Sequence, residues 1–428
     1  MTRKITIKSY GLWLAMAISG LAQTAHADSD VAAQIKHGEY LARAGDCAAC
    51  HTAPGGKPFA GGLKMMTPVG AIYASNITPD KLTGIGSYSE QDFSRALRQG
   101  IAQDGHHLYP AMPYPSFNKI TDSDTRDLYL YFTQQVAPVA QTNRPSDIPF
   151  PLNIRWPLAV WNQVFLQEKP YYSDPKQTAD WNRGAYLVQG LGHCGSCHTP
   201  RGVGFQEKAL DNDNRAYLSG GTLDGWHAPN LRGDATTGLG QWTEGDITQF
   251  LQQGHTARST AFGSMVEVVQ DSTQYLTDAD RQAIAVYLKS LPADGQFRVQ
   301  VNNSATAQAL DKGDLAASGA QLYMDNCADC HLASGQGEKN KYPQLAQNPV
   351  VVSADPSSMI NIVLRGAHSP VTATSGKGAR MPAFADRLED QEVADVVNFI
   401  RNGWGNQAEK VSAAQVKAMR KLTEPDKG

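Results

Sequence analysis

The sequence contains three pentapeptides of one form: CAACH at 47–51, CGSCH at 194–198 and CADCH at 327–331. Together they use all six cysteines of the 428-residue chain. In the C-x-x-C-H pattern, two thiols can form thioethers with one edge of a porphyrin, and the adjacent histidine is placed to bind the iron. The pattern therefore predicts covalent haem c attachment at three points along the chain.

Three other uses of cysteine compete with haem attachment. Disulfides are common in exported proteins, but they leave the histidine after every pair unexplained. A zinc site needs four ligands and usually joins two such pairs, whereas these pairs lie more than a hundred residues apart. A thioredoxin-like redox pair would not recur three times. The sequence thus predicts three covalently bound haem c groups as the cofactors.

The predicted haem ligands fall into three sets, one for each motif. The second iron ligand should lie well downstream, in a loop that returns over the other haem face. A methionine precedes the last helix of each repeat, and two of the three adjoin proline, which suits a rigid loop. The predicted attachment residues are Cys47, Cys50, Cys194, Cys197, Cys327 and Cys330. The predicted iron ligands are His51 with Met112, His198 with Met265, and His331 with Met381.

Other side chains compete for the second iron position. The rivals are His106 and His107 after the first motif and His255 after the second. A lone methionine is more often a core residue than a ligand, but the same position in three repeats favours ligation. Histidine–methionine ligation fills the iron coordination shell and raises the reduction potential. It therefore predicts electron transfer rather than a peroxidase or oxidase centre, and it predicts no catalytic residue.

Each motif lies inside a repeat of about 100 residues. A helical stretch with glycine and tyrosine precedes the motif, as in Gly38-Glu39-Tyr40 and Gly184-Ala185-Tyr186. An amphipathic helix closes each repeat, and two of these helices follow a threonine in a capping-box-like start. The repeat predicts an all-α fold of three tandem class I cytochrome c-like domains. Their predicted bounds are 28–137, 181–292 and 317–405.

The remaining stretches are predicted to be a signal peptide, two linkers and a tail. Residues 1–27 have a basic start, a short apolar core and the small-residue pattern Ala25-His26-Ala27, which predicts cleavage before Asp28. Residues 138–180 form a Pro- and Trp-rich linker, which suits packing between domains or contact with a partner or the membrane interface. A more polar linker covers 293–316, and the tail covers 406–428.

Composition and charge narrow the functional classes. The chain is 41% hydrophobic and 18% charged, its net charge is −3, and it has no long run of lysine or arginine. Nucleic acid is therefore not an expected partner. Beyond the first 27 residues, no stretch reaches the roughly 18 apolar residues of a membrane helix. Together with the signal peptide, these features predict export to the periplasm.

The residues between the motifs resemble those of a known family. The matching stretches are GGKPFAGG at 55–62, GAIYASNITPD at 70–80, YPAMPYP at 109–115, GHCGSCHTPR at 192–201 and ADVVNFI at 394–400. Over essentially the whole mature chain, the sequence resembles the triheme cytochrome c subunits of periplasmic membrane-bound dehydrogenases. Within that family, QEKAL at 206–210 and the short tail favour the gluconate 2-dehydrogenase cytochrome c subunits.

The resemblance implies a division of labour. A flavoprotein dehydrogenase subunit would oxidise the sugar acid, accompanied by a small third subunit. This chain would be a non-catalytic subunit that passes electrons through three haems to ubiquinone, in peripheral contact with the periplasmic side of the inner membrane. The alternatives are a cytochrome subunit of a related alcohol, sorbitol, fructose or aldehyde dehydrogenase, a free-standing periplasmic shuttle cytochrome, and a haem enzyme.

Overall fold

Three successive segments, each built around one motif, make up the structure. The computed structural model describes residues 29–423 except 68, 168, 224, 294–302, 340 and 377. The predicted signal peptide, 1–27, lies outside the described residues. We call 29–136 the first segment, 179–292 the second and 303–423 the third. The described chain is largely helical and adds short two-stranded antiparallel hairpins to a fold predicted to be all-α.

The first segment contains five helices and one hairpin among its described residues. Its helices are α1 (29–44), α2 (Cys47–His51), α3 (Glu90–Gln99), α4 (Tyr114–Phe117) and α5 (Asp122–Leu130). Its hairpin pairs β1 (Lys64–Thr67) with β2 (Gly70–Tyr73). One wide helical turn, Tyr131–Gln135, continues α5, and α6 (Pro157–Phe165) follows in the predicted linker.

The second and third segments repeat this order with variations. The second contains α7 (Ala179–Tyr186), α8 (Gly195–His198), β3 (Gly221–Leu223), β4 (Trp226–Ala228), α9 (Glu244–Gln253), α10 (Met265–Glu267) and α11 (Asp278–Ser290). The third contains α12 (Ala305–Asp311), α13 (Ala320–Asn326), α14 (Ala328–His331), α15 (Pro349–Val352), α16 (Ser357–Arg365), β5 (Ala367–His368), β6 (Arg380–Met381), α17 (Asp390–Asn402) and α18 (Ala413–Thr423).

Threonine caps start the closing helices of the first two segments, as the sequence predicts. The Thr121 hydroxyl accepts a hydrogen bond from the Asp124 backbone N–H, and the Thr277 hydroxyl accepts one from the Asp280 backbone N–H. Each bond satisfies a backbone donor that has no partner within the helix. These caps place the first turns of α5 and α11.

In every segment, the helix before the motif crosses the closing helix at a glycine. A Cβ on Gly38 would lie 2.0 Å from the Asp127 carbonyl oxygen, and one on Gly184 would lie 2.0 Å from that of Ala283. At Gly319 the corresponding distance to the Asp395 oxygen is 2.3 Å. Real side chains do not tolerate such distances, so only glycine permits this close crossing.

The first and second segments share one hydrophobic core and exchange equivalent hydrogen bonds. The Tyr40 hydroxyl of the first donates to Asp280 Oδ2 of the second at 2.5 Å. In return, the Tyr186 hydroxyl donates to Asp124 Oδ2, also at 2.5 Å. Buried Leu41 and Phe132 belong to the same core cluster as Leu187 of the second segment. The two segments are therefore related by an approximate twofold arrangement.

The third segment has its own core and attaches to the second through a hairpin. The Ser358 hydroxyl on α16 accepts from the His227 backbone N–H at 2.8 Å and lies 3.0 Å from the His227 carbonyl oxygen. Beside it, the Thr222 hydroxyl donates to Asp355 Oδ2 at 2.6 Å. Strands β3 and β4 thus form one contact between the two segments; a second joins Gln270 and Gln274 to the backbone of Val371 and Ala373.

The third segment extends past the range 317–405 predicted for the third domain. Leu310 of α12, within the predicted linker 293–316, is buried in the third core. At the other end, Val416 of α18 is fully buried in the same core, and Arg420 pairs with Asp390 at 2.8 Å. Both flanking helices therefore pack as parts of this unit.

A substitution at the helix crossing tests its tight geometry. Gly184→Ala should destabilise the protein by at least the ~1–3 kcal/mol typical of overpacking, because the new methyl would collide with the Ala283 backbone oxygen. The matched control is Gly245→Ala in α9, where the nearest atom is an ordinary 3.6 Å away. Alanine there should be neutral or stabilising. Thermal unfolding of both holoproteins is the measurement, and equal melting temperatures would refute the tight crossing.

Candidate haem-attachment sites

Each motif folds as a short helical turn that brings its two cysteines to one side. Residues three apart in a helix are neighbours on its surface, so the C-x-x-C spacing presents both thiols together. The residue before the first cysteine has a left-handed backbone in two motifs, with φ of 52° at Asp46 and 37° at His193. That turn redirects the chain from the preceding helix into the motif.

The three motif histidines are held in the same way. The Nδ1 atom of His51 lies 2.7 Å from the Ser75 carbonyl oxygen, and that of His198 lies 2.7 Å from the Pro229 oxygen. For His331, the acceptor is the Pro343 oxygen at 3.0 Å. An Nδ1–H donated to a carbonyl fixes the ring tautomer and leaves Nε2 free to bind a metal. Each imidazole therefore has its Nε2 available for the predicted bond to iron.

Burial keeps these imidazoles neutral. It lowers the pKa of His51 and of His331, and it lowers the pKa of His198 to about 4. A neutral imidazole has the free lone pair that iron coordination requires. The three histidines are therefore in the metal-binding protonation state at neutral pH.

Burial also suppresses the reactivity of the motif thiols. It raises the pKa of Cys47, Cys194 and Cys327 to about 12, and that of Cys50 to about 11. Because the thiolate is the reactive form of cysteine, burial makes these four thiols less reactive in the folded chain.

In the third segment, the predicted ligands line one pocket. Cys327, Cys330, His331 and Met381 all contribute to its wall. The remaining wall is mostly apolar and includes Val351, Met359, Ile362, Val363, Leu388, Val396 and Ile400. Its empty volume, including the open mouth, is about 1180 Å³. Two thiols, an imidazole and a thioether around an apolar slot fit a haem c.

The other two methionines lie in different local structures. Met112 is half-buried against the shared core, as is Cys47 of its motif. Met265 begins α10 instead of lying in an extended loop. Just before it, Phe262 packs on Trp226 with ring centroids 5.6 Å apart. Trp226 precedes Pro229, whose carbonyl holds His198, by three residues. The Met265 loop therefore reaches the strand beside its motif.

The three rival histidines differ in their surroundings. His106 is exposed, and its Nδ1 lies 2.5 Å from Asp104 Oδ1. The Nδ1 atom of His107 faces the Asn162 side chain at 3.4 Å. His255 has a buried Nδ1 with no hydrogen-bond partner among the described residues. His255 is therefore the strongest rival, and the second iron ligands stay a prediction.

The carbonyl acceptors and the proximity of two motifs are features that the sequence did not reveal. Ser75, Pro229 and Pro343 follow their histidines by unequal distances and act through backbone atoms, so no residue pattern marks them. The ring of His193, next to Cys194, packs on Phe117 of the first segment at 5.5 Å. Cys50 and Cys197 are also close enough to interact electrostatically, so the first two motifs adjoin across the shared core.

These sites define the class of protein. A C-x-x-C-H turn with a carbonyl-held histidine beside an apolar pocket is the attachment site of a c-type cytochrome. In agreement, the cytochrome c family profile matches residues 182–292 and 316–404. The predicted covalent attachment of haem c and the predicted role in electron transfer are confirmed by this match.

Comparison with known proteins identifies the family. The chain is 51% identical to the gluconate 2-dehydrogenase cytochrome c subunit of Pantoea cypripedii, over 95% of this chain and 94% of the relative. It is 46% identical to the cytochrome c subunit of alcohol dehydrogenase (quinone) of Gluconobacter oxydans (strain 621H), over 99% of this chain and 90% of the relative. It is 39% identical to the fructose dehydrogenase cytochrome subunit of Gluconobacter japonicus, over 90% of this chain and 82% of the relative.

The chain belongs to the family of cytochrome c subunits of dehydrogenase complexes. The family resemblance predicted from the sequence is confirmed by these relatives. As such a subunit, the chain transfers electrons and does not itself oxidise substrate, and its partner is a dehydrogenase. Among the described helices, none is both long and apolar enough to cross a membrane.

Replacing one methionine of the third pocket tests its assignment as a ligand. Met381→Leu should make one haem high-spin and lower its potential by about 0.1 V or more, a fraction of the ~0.8 V range that axial ligands control. The control is Met359→Leu, since Met359 lines the same pocket and is not a predicted ligand. Absorbance spectra and redox titration distinguish the two. An unchanged low-spin spectrum in the Met381 variant would remove it from the ligand set.

Proposed function

We propose that this chain carries three haem c groups and passes electrons from a flavoprotein gluconate 2-dehydrogenase to ubiquinone. The observation that carries the gluconate assignment is the 51% identity to a gluconate 2-dehydrogenase cytochrome c subunit, compared with 46% for an alcohol dehydrogenase subunit and 39% for a fructose dehydrogenase subunit. A free-standing shuttle is not favoured, because these relatives are subunits of dehydrogenases.

Each haem would be held by one cysteine pair and two axial ligands. When bound, the iron supplies reversible one-electron chemistry. The attachment pairs are Cys47 with Cys50, Cys194 with Cys197, and Cys327 with Cys330. The ligand pairs are His51 with Met112, His198 with Met265, and His331 with Met381. The carbonyl-held histidines support one axial position in all three sites, and the third pocket supports the other.

The three segments would then be three tandem class I cytochrome c domains. The same glycine crossing recurs before each motif, which supports a threefold repeat of one unit. The order of helices around each motif is also similar. We propose that the predicted domains correspond to these units, with α12 and α18 as additions to the third.

The acceptor and the membrane contact form a second part of the proposal. The relative from Gluconobacter oxydans is named for quinone, which supports ubiquinone as the acceptor. The linker exposes large apolar side chains that an interface could cover, among them Phe150 at 79%, Trp156 at 70%, Val160 at 52% and Val164 at 65%. We place peripheral contact with the periplasmic side of the inner membrane, and access for quinone, at this surface. A small third subunit would complete the complex.

Mass spectrometry of the denatured protein tests the number of haems. The expected mass is that of the chain from Asp28 plus three haem groups, because three attachment motifs are complete. Replacing Cys327 and Cys330 together with alanine should remove one haem mass and leave two. Only two haems in the unsubstituted protein, or haem that dissolves in acidified organic solvent, would contradict covalent attachment at all three motifs.

Reconstitution with the dehydrogenase subunit tests the direction of electron flow and the substrate. The isolated chain should show no reduced-haem absorbance after addition of gluconate, since its relatives are the cytochrome c subunits of dehydrogenases. Adding the co-expressed flavoprotein should produce the reduced spectrum with gluconate and not with ethanol. Reduction by ethanol instead would replace gluconate in the proposal, and reduction without the flavoprotein would overturn the non-catalytic assignment.

A further inference from the structure

We propose that His37, Asp124 and Asp127 form a binding site for a divalent transition-metal ion, separate from the haem sites. His37 lies on α1, and the two aspartates lie one turn apart on α5. One ligand atom from each residue lies within 4.8 Å of the others. Zinc–nitrogen and zinc–oxygen bonds of about 2 Å place ligand atoms up to about 4 Å apart, which small side-chain movements would achieve.

Asp127 is the central ligand. Its side chain is only 7% exposed, and its Oδ2 lies 2.8 Å from His37 Nδ1. Its other oxygen, Oδ1, is buried and has no hydrogen-bond partner among the described residues. A buried carboxylate oxygen without a partner is costly unless it binds a cation or a donor. A metal ion between the three residues would satisfy it.

The local charge favours a cation. In the second segment, the position equivalent to His37 is Arg183, which makes two 2.7 Å hydrogen bonds to Asp280. The position equivalent to Asp127 there is an alanine, Ala283. The first segment thus replaces a fixed positive charge with an imidazole and adds a carboxylate. Arg183 lies close enough to interact with Asp124, but it is already paired with Asp280. The carboxylates of Asp124, Asp127 and Asp280 therefore outnumber this one fixed positive charge.

The ligand set selects the class of ion. Imidazole suits zinc, nickel and copper, whereas magnesium and calcium prefer oxygen alone. His37 is 44% exposed, so the ion can enter from solvent, and water can complete its coordination. The Tyr186 hydroxyl, 2.5 Å from Asp124 Oδ2, orients one ligand from outside. Bound metal would tie α1 to α5 beside the glycine crossing at Gly38.

Titration calorimetry with zinc chloride tests this site. Tag-free holoprotein, washed with EDTA and exchanged into buffer, should bind one equivalent of Zn²⁺. His37→Ala and Asp127→Asn should each weaken binding at least about tenfold, the lower limit even for outer-shell changes. Excess Ca²⁺ should not displace the zinc. If Asp127→Asn fails to fold, as judged from its haem spectrum, the zinc affinity of the variant at exposed His37 is the test.

A second histidine–aspartate pair provides the matched control. His106 and Asp104 are joined at 2.5 Å but are 45% and 72% exposed, and Asp104→Asn should leave zinc affinity unchanged. Loss of zinc binding in this control, no saturable binding by the unsubstituted protein, or equal affinity in the His37 variant would each overturn the proposal. The His37–Asp127 contact would then be an ordinary ion pair.

Discussion

The close crossing of two helices at a glycine is the constraint on which the rest of the structure depends. With no side chain at Gly38, Gly184 or Gly319, the helix before each motif lies directly on the backbone of the closing helix. The motif follows the first helix within a few residues, so its position is determined by this contact. The hairpin or loop beyond the motif then returns a carbonyl to the histidine. Both the attachment point and the orientation of the iron ligand therefore follow from one backbone contact.

The reciprocal tyrosine–aspartate bonds decide how the segments are joined. Tyr40 and Tyr186 each reach the capped start of the other segment's closing helix, where the backbone N–H groups of Thr277 and Thr121 also donate to them at 3.3 Å. The exchange merges two cores into one and brings the first two motifs together. The third segment lacks this exchange among its described residues. It meets the second segment through the β3–β4 hairpin and through the loop at 370–373. The first two sites thus adjoin across one core, and the third pocket, whose wall includes Ala261 and Phe262, adjoins the second segment.

Sequence reasoning was most successful where a residue type performs the chemistry. Cysteine spacing and the adjacent histidine indicated the cytochrome class, and threonine with a later aspartate indicated where closing helices begin. The sequence did not reveal the Ser75, Pro229 and Pro343 carbonyls, because any residue can supply a backbone oxygen. It also missed the pairing of the first two segments: Tyr40 and Tyr186 were visible beside each motif, but their partners lie in another repeat. The hairpins were missed because strands of two to four residues carry too little alternation.

The structure of the Pro- and Trp-rich linker is compatible with both interpretations of its sequence: packing between segments, and contact with a partner or membrane. Trp161 packs between the segments, since its Nε1–H donates to the Gly204 oxygen at 2.8 Å and its ring contacts Tyr114. Asn162 extends this contact by donating to the Gln99 carbonyl oxygen. Val164 on the same helix and Trp156 at its N-cap remain largely exposed. A helix that was needed only to fill the gap between two segments would gain nothing from large apolar side chains on its outer face. The inner face therefore fixes the helix on the first two segments, and the outer face is free to meet a surface beyond the chain.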